Sequence, residues 1–233
     1  MQLFYTPNIQ SSIYCFDKEE SAHCVRVLRL KPGNEIHLTD GKGNLYLAKI
    51  LNTDIKNCSV EIIETFAEYG KRDFNLHIAI APTKNIERFE WFLEKSTEIG
   101  IDIITPLICE HSERKVVKSE RLNKIITSAV KQSIKTYHPI LEDAIKFNNF
   151  IVKNYNSNKY IAHCENDLKV ALQSIYKKNE NALILIGPEG DFSSNEIKKA
   201  LENNYLPISL GNSRLRTETA GIVACHSINF LNE

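Results

Sequence analysis

The chain has 233 residues, enough for one large or two modest domains with cores of their own, and its 29 basic and 29 acidic residues balance. That balance excludes a global field drawing the chain to nucleic acid or to a membrane surface, so any affinity for RNA has to come from a local patch. The six cysteines, Cys15, Cys24, Cys58, Cys109, Cys164 and Cys225, contain no C-x-x-C pair, which argues against zinc and against a disulfide framework; with no leader and no apolar run of about 18 residues, a cytosolic protein is expected.

The first seventy residues read as short strands. Ile36 and Leu38 alternate with polar neighbours, Asp40-Gly41-Lys42-Gly43-Asn44 supplies turn residues, and Leu45 and Leu47 resume the alternation, which predicts a hairpin. Val60, Ile62 and Phe66 predict a further strand. Between Ser21 and Leu30 the basic residues His23, Arg26 and Arg29 stand among apolar ones, as on a short helix or strand with basic outward positions. Together these elements predict a small β-barrel. The polar, glycine-containing break Glu68 to Asp73 marks the expected boundary, giving domains 1–71 and 72–233.

Beyond it the pattern changes to alternating strand and helix. Phe74 to Ala81 is a nearly continuous apolar strand, Asn85 to Ile99 a helix, and Ile101 to Cys109 a second strand. Ser119 is placed to cap a helix whose stripe, Leu122, Ile125, Ile126, Ala129, Val130 and Ile134, keeps the i, i+3, i+4, i+7 rhythm. Tyr160 to Cys164 reads as a strand and Asp167 to Lys177 as a helix. This order predicts an α/β domain built on a mostly parallel sheet with helices on both faces.

The richest stretch lies between Ala182 and Ala224. The apolar run Ala182 to Ile186 ends in Gly187-Pro188-Glu189-Gly190-Asp191-Phe192, and Ser193 with Glu196 has the spacing of a capping box opening a helix. A second run, Leu206 to Leu210, breaks at Gly211 and leads through Asn212-Ser213-Arg214-Leu215-Arg216-Thr217-Glu218 into a last helix reaching about Phe230. Two strand ends with glycine loops beside each other can offer backbone groups to a ligand, so a small-molecule pocket is expected here, with Gly187, Gly190 and Gly211 free to take positive φ. There is no G-x-x-x-x-G-K-[ST], no early G-x-G-x-x-G and no H-E-x-x-H, which leaves a P-loop nucleotidase, a Rossmann enzyme and a metal centre unsupported. His23 and His111 are the histidines nearest to possible chemistry.

Gly187-Pro188-Glu189-Gly190, followed by Leu210-Gly211 and Leu215-Arg216-Thr217-Glu218-Thr219-Ala220, resembles the signature pair of the RsmE family of SPOUT-class methyltransferases, which act on N3 of a uridine in small-subunit ribosomal RNA. His23 with Val27-Leu28-Arg29, Lys84 with Arg88, Lys95 to Gly100 and Gln132-Ser133 extend the resemblance over nearly the whole chain. It implies a PUA-like β-barrel for RNA at 1–71, a SPOUT domain with a C-terminal trefoil knot at 72–233, and a homodimer. It also implies S-adenosylmethionine bent across the two loops, held by Leu185 and Ile186 with Gly187, Pro188, Glu189 and Gly190, by Leu210, Gly211, Asn212, Arg214 and Leu215, and by Thr217, Thr219 and Ala220.

Uracil N3 must shed a proton to become a good nucleophile, which makes Arg216 and Glu218 the candidate catalytic pair. Arg216 stays protonated and is assigned to stabilising the anion, and Glu218 is the alternative proton acceptor. An ion pair between the two across the loop is the structural alternative. Arg26 and Arg29 in the first domain, and Lys84, Arg88, Arg114 and Lys115 in the second, are the candidate RNA contacts. The chain departs from the family pattern at Asp191, at Ser213-Arg214 and at Ile134-Lys135. Rival functions are a ribose 2′-O RNA methyltransferase and a noncatalytic RNA-binding assembly factor.

Overall fold

The computed structural model describes residues 2–165 and 169–233. The chain divides into two units, one running to Lys71 and taking in Val130–His138, the other comprising Arg72–Ala129 and Pro139–Glu233. The segment Val130–His138, which sequence order assigns to the second domain, therefore belongs to the first. Its attachment is through hydrogen bonds: Thr39 Oγ1 and Gly43 N both donate to the carbonyl of Thr136, at 3.2 and 2.9 Å.

The first unit contains β1 (Leu3–Tyr5), β2 (Ile13–Cys15), α1 (Lys18–Ala22), a π-helical turn (His23–Val27), β3 (Glu35–Thr39), β4 (Leu45–Asn52) and β5 (Ser59–Phe66). They form a five-stranded mixed sheet in the order β1-β3-β4-β5-β2. The β3–β4 hairpin turns where Asp40 Oδ1 accepts from Lys42 N at 2.8 Å, and the alternating Ile36, Leu38, Ala48, Ile50 and Val60 bury one face with Phe4 and Phe16. Each large aliphatic side chain so buried contributes about 1.5–3 kcal/mol. The stretch 21–30 is helical as far as Val27, opened by the Asp17 carboxylate accepting from Glu20 N at 2.8 Å, and Arg29 beyond it takes φ +54°; Arg26 and Arg29 are both exposed.

The second unit contains β6 (Leu76–Ile80), α2 (Ile86–Ile99), β7 (Ile103–Ile108), α3 (Ser119–Gln132, with its last residues in the first unit), β8 (Ile140–Leu141), β9 (Ile145–Lys146), α4 (Phe147–Ile151), β10 (Asn158–Ala162), β11 (Val170–Ala171), α5 (Leu172–Ile175), β12 (Ala182–Ile186), α6 (Ser194–Glu202), β13 (Leu206–Ser209) and α7 (Thr217–Asn232). Its eight strands pair in parallel throughout, in the order β11-β13-β10-β12-β6-β7-β8, with β9 also on β7.

Because β12 is central, all five of its residues are buried and its sequence is uninterruptedly apolar, as expected for a strand covered on both faces. Leu183 and Leu185 pack with Phe147, Phe150, Ile197 and Ala200, so α4 and α6 cover one face. On the other face α7 packs against α2, β6 and β12. Gly221 allows that approach, since a Cβ there would stand 2.7 Å from the Phe92 ring and 2.8 Å from Ile80.

Three local expectations are corrected. Ser119 is the first residue of α3 rather than its cap. Ile134 lies beyond the helix with φ +57° and is partly exposed, so it does not continue the buried stripe. The helix expected from Asp167 to Lys177 reduces to the single turn of α5 behind the short strand β11, with Asp167 and Leu168 outside the described residues. Among the described residues no helix is long and apolar enough to cross a membrane.

Candidate active site

The strands β13, β10 and β12 are consecutive neighbours, so their carboxyl ends lie side by side, where open α/β sheets hold ligands. The two glycine loops are thus not directly adjacent: β10 stands between them and contributes its own loop, Ala162 to Glu165. A cavity of about 520 Å³ opens at these ends, lined by that loop, by Lys169 and Asp191, and by Ile208 to Leu215 with Ala220. Its volume falls in the range of small-molecule sites. An adjoining hollow of about 340 Å³ is lined by Ile186 to Glu189, Arg88, Arg216 and Thr217, and shares Ala162, Cys164, Asp191, Arg214, Leu215 and Ala220 with the first.

The loop after β12 is tied to three neighbouring segments. Asp191 takes φ +65°, and its carboxylate accepts from Cys164 N at 2.6 Å and Phe192 N at 2.9 Å, tying this loop to the one after β10. Glu189 Oε1 accepts from Lys84 N at 2.9 Å. Ser193 and Glu196 form the expected capping box, and Glu196 Oε1 also accepts from Glu110 N at 2.9 Å. His111 Nδ1 faces the carbonyls of Gly190 and Asp191 at 3.2 and 3.1 Å, a bracing role for that histidine. His23 is exposed in the first unit, its ring edge-on to Phe4 at 6.3 Å between centroids.

Positive φ is found at Gly211 but not at Gly187 or Gly190, which corrects the expectation for those two. Their lack of a side chain serves packing: a Cβ on Gly187 would meet Phe192 at 3.0 Å, and one on Gly190 would meet His111 at 3.2 Å. Gly211 differs in both respects. Its φ is +128°, nothing lies within 4 Å of a Cβ built there, and its bonds are the local ones to Ser209 Oγ. Gly211 to Arg214 are exposed, so the backbone of this loop faces the cavity without cover.

Arg216 is the N-cap residue of α7 and is exposed, and its side chain makes no hydrogen bond or ion pair among the described residues. Glu218 sits in the first turn of α7 and is buried to 7 % exposure, where the helix N-terminus favours a negative charge. The ion pair across the loop is not formed. Glu218 Oε1 instead faces Arg88 Nε at 4.0 Å, and Glu218 Oε2 has no hydrogen-bond partner. A third hollow, about 610 Å³, lies between α2 and α7, lined by Arg88, Trp91, Arg214, Arg216, Glu218 and Thr219 among others.

Of the residues expected around a cofactor, Ile186, Gly187, Pro188, Glu189, Leu210, Gly211, Asn212, Arg214, Leu215, Thr217 and Ala220 line the two joined cavities. Thr219 lines the third hollow instead. Leu185 points into the core under α4 and α6, because it lies one residue out of phase with Ile186 along the strand. Gly190 is turned toward His111. Of the cations, Lys115 is exposed, whereas Arg114 donates to the carbonyls of Thr83 and Lys84 at 3.0 and 2.7 Å and is thereby committed to the turn before α2. Lys84 pairs with Glu113 at 2.7 Å, a hydrogen bond that raises its pKa above the usual lysine value. Sequence reasoning passed over Cys164, Lys169 and Trp91, which have no glycine or charge pattern beside them to mark them.

Residues 71–229 match the family described as RNA methyltransferase domain, and residues 16–63 match the RNA methyltransferase PUA domain. The ribosomal RNA small subunit methyltransferase E of Rickettsia conorii is 32% identical over 217 residues, 91% of this chain and 88% of the relative. The structure of a probable rRNA-methyltransferase from Porphyromonas gingivalis superposes with a TM-score of 0.93 at 41% identity, covering 100% of this chain and 98% of the other. That of a ribosomal RNA small subunit methyltransferase E from Neisseria gonorrhoeae, bound to S-adenosyl methionine, superposes with a TM-score of 0.89 at 25% identity, over 99% and 98% of the two chains.

Proposed function

From the chain's membership of the RNA methyltransferase family, with its PUA domain ahead of the methyltransferase domain, we propose an S-adenosylmethionine-dependent enzyme that methylates N3 of a uridine in small-subunit (16S) ribosomal RNA. The observation that carries this reading is the joined cavity at the carboxyl ends of β10, β12 and β13, beside a buried carboxyl oxygen of Glu218 that has no partner. The residues fit the cofactor: the cavity is of ligand size, and the uncovered backbone at Gly211 leaves room for a planar base to approach. Ile186 to Glu189 and Leu210 to Leu215, with Thr217 and Ala220, would hold it. When bound, S-adenosylmethionine supplies an electrophilic methyl group on its sulfonium.

The chain's own task is to bring the uracil N3 into line and to take charge of its proton. Glu218 Oε2, shielded from water and unpartnered, is suited to accept that proton. Arg216, exposed at the start of α7, offers a planar fork of donors to the uracil oxygens as negative charge builds on the ring. The exposed cations Arg26, Arg29 and Lys115, with Lys84 and Arg88, would neutralise phosphates. The same reading includes the trefoil knot, a homodimer acting in the cytoplasm, and an assembled small subunit as substrate.

The test is to incubate the protein with S-adenosylmethionine and small ribosomal subunits lacking the modification, digest the RNA to nucleosides and weigh them. 3-Methyluridine is the expected product. A methyl group on ribose would replace this reading with the 2′-O one, and RNA binding without any methyl transfer would replace it with the assembly factor.

A further inference from the structure

The hollow between α2 and α7 carries a combination that the cofactor cavity does not. Trp91, the one tryptophan of the chain, is 44% exposed on the face of α2 turned away from the buried Phe89, Phe92 and Leu93. It lies one turn after Arg88, so the two side chains share a helix face. Arg214 and Arg216 line the same hollow from the other side, and both are exposed. Glu218 lines it too, its side chain only 9% exposed and its Oε2 without a hydrogen-bond partner. An unpartnered buried carboxyl oxygen is unfavourable, so a ligand that donates a hydrogen bond to that carboxylate gains affinity.

Aromatic face, guanidinium groups and buried acceptor match one class of ligand. A nucleobase presents a flat surface to an aromatic ring, a ring N–H to a carboxylate and carbonyl oxygens to a guanidinium, while its phosphates answer the remaining cations. Among bases, uracil combines an N3–H, a donor for the Glu218 carboxylate, with carbonyls on both sides, acceptors for the arginines. The hollow shares Arg88, Arg214, Leu215 and Arg216 with the cavity at the loop after β12, so its occupant would adjoin the cofactor site. We propose that this hollow receives the target uridine, swung out of its RNA, with Trp91 as the stacking platform and the Glu218 carboxylate, turned into the hollow, accepting the N3–H hydrogen bond. The proposal rests on the reading of the chain as a uridine methyltransferase and assigns the position and the platform of its substrate base. A base buried in a stack cannot reach such a site, and extrusion is the general solution for enzymes that modify bases.

The single tryptophan makes the test direct. In the full chain with saturating S-adenosylhomocysteine, titration with an oligouridylate should quench Trp91 fluorescence saturably. In single-turnover methylation of small subunits, Trp91→Leu should lower the rate at least roughly tenfold, as expected for a lost base–aromatic contact. Trp91→Phe, which keeps a stacking face, should fall between the two, and cofactor affinity by calorimetry should stay within about threefold for both, the ring lying outside the cofactor cavity. Unquenched fluorescence in a protein that methylates subunits, or wild-type turnover in Trp91→Leu, would overturn the base site while leaving the enzyme assignment intact. So would a fall in sedimenting mass for Trp91→Leu, which would show that a second copy of the chain covers the ring. Failure of the wild-type protein to methylate any RNA would overturn the parent reading and this one with it.

Discussion

The loops after β12 and β13 share a grammar, an apolar strand broken by glycine and followed by a helix, yet they are built to opposite ends. The first is a wall. Asp191, Glu189 and Glu196 each accept from the backbone of a different neighbouring segment, and Gly187 and Gly190 are glycines because Phe192 and His111 occupy the space of their side chains. The second is open: Gly211 has nothing around its Cβ position, its hydrogen bonds reach only Ser209, and Arg214 and Arg216 extend into solvent. A glycine can therefore mark a place where protein packs tightly or a place kept clear for something else. Only the neighbours tell which.

Substitutions separate the two. The largest effect is expected at Arg216, on the open loop: Arg216→Lys keeps the charge and loses the fork, so single-turnover methylation of small subunits should fall by roughly a hundredfold while cofactor affinity changes little. Near-normal rates in both Arg216→Lys and Arg216→Ala would remove it from the chemistry, and a loss confined to Glu218→Gln would leave the carboxyl alone in charge of the proton. At Gly211, φ of +128° is inaccessible to a β-branched residue. Gly211→Val should weaken cofactor binding about tenfold or more, equivalent to about 1.4 kcal/mol, with the melting temperature falling only slightly because nothing lies within 4 Å of the Gly211 Cβ position. Equal losses of affinity and fold stability would mean that the loop is structural after all. The smallest effect belongs to the braced loop. Ser193→Ala removes half of the capping box and should cost about 1 kcal/mol of unfolding free energy in denaturant titration, with cofactor affinity unchanged.

The elements around the two loops were legible in the sequence, for reasons that differ by element, whereas the contrast between the loops was not, since Gly187, Gly190 and Gly211 read alike. β12 could be bounded from its unbroken apolar run because a central parallel strand is covered on both faces, and α6 from the spacing of Ser193 and Glu196. The insertion of β10 between the two glycine loops could not be read, because strand order is set by contacts distant in sequence. For the same reason Cys164 and Asp191 gave no sign of being joined across 27 residues. Burial of Glu218 depends on how closely α7 lies against α2, a distance fixed by Gly221 against Phe92 rather than by the residues beside Glu218. The domain break after Lys71 was visible as a polar, glycine-containing stretch, but the return of Val130–His138 to the first unit was not, since it rests on Thr136 carbonyl bonds to Thr39 and Gly43. A fragment beginning at Arg72 would lack those partners, so experiments on the cofactor site call for the full chain.

The most direct measurement of the central claim is amide hydrogen exchange of the full chain with and without S-adenosylmethionine. If the cofactor lies across these strand ends and closes on an open loop, protection should rise strongly over residues 210–216 and less over 187–191, where Asp191 N already donates to the Pro188 carbonyl and the Glu189 and Asp191 carboxylates tie the loop to the amides of Lys84 and Cys164. Equal gains in both loops would contradict the distinction between them, and protection gained elsewhere with neither loop affected would contradict the site itself.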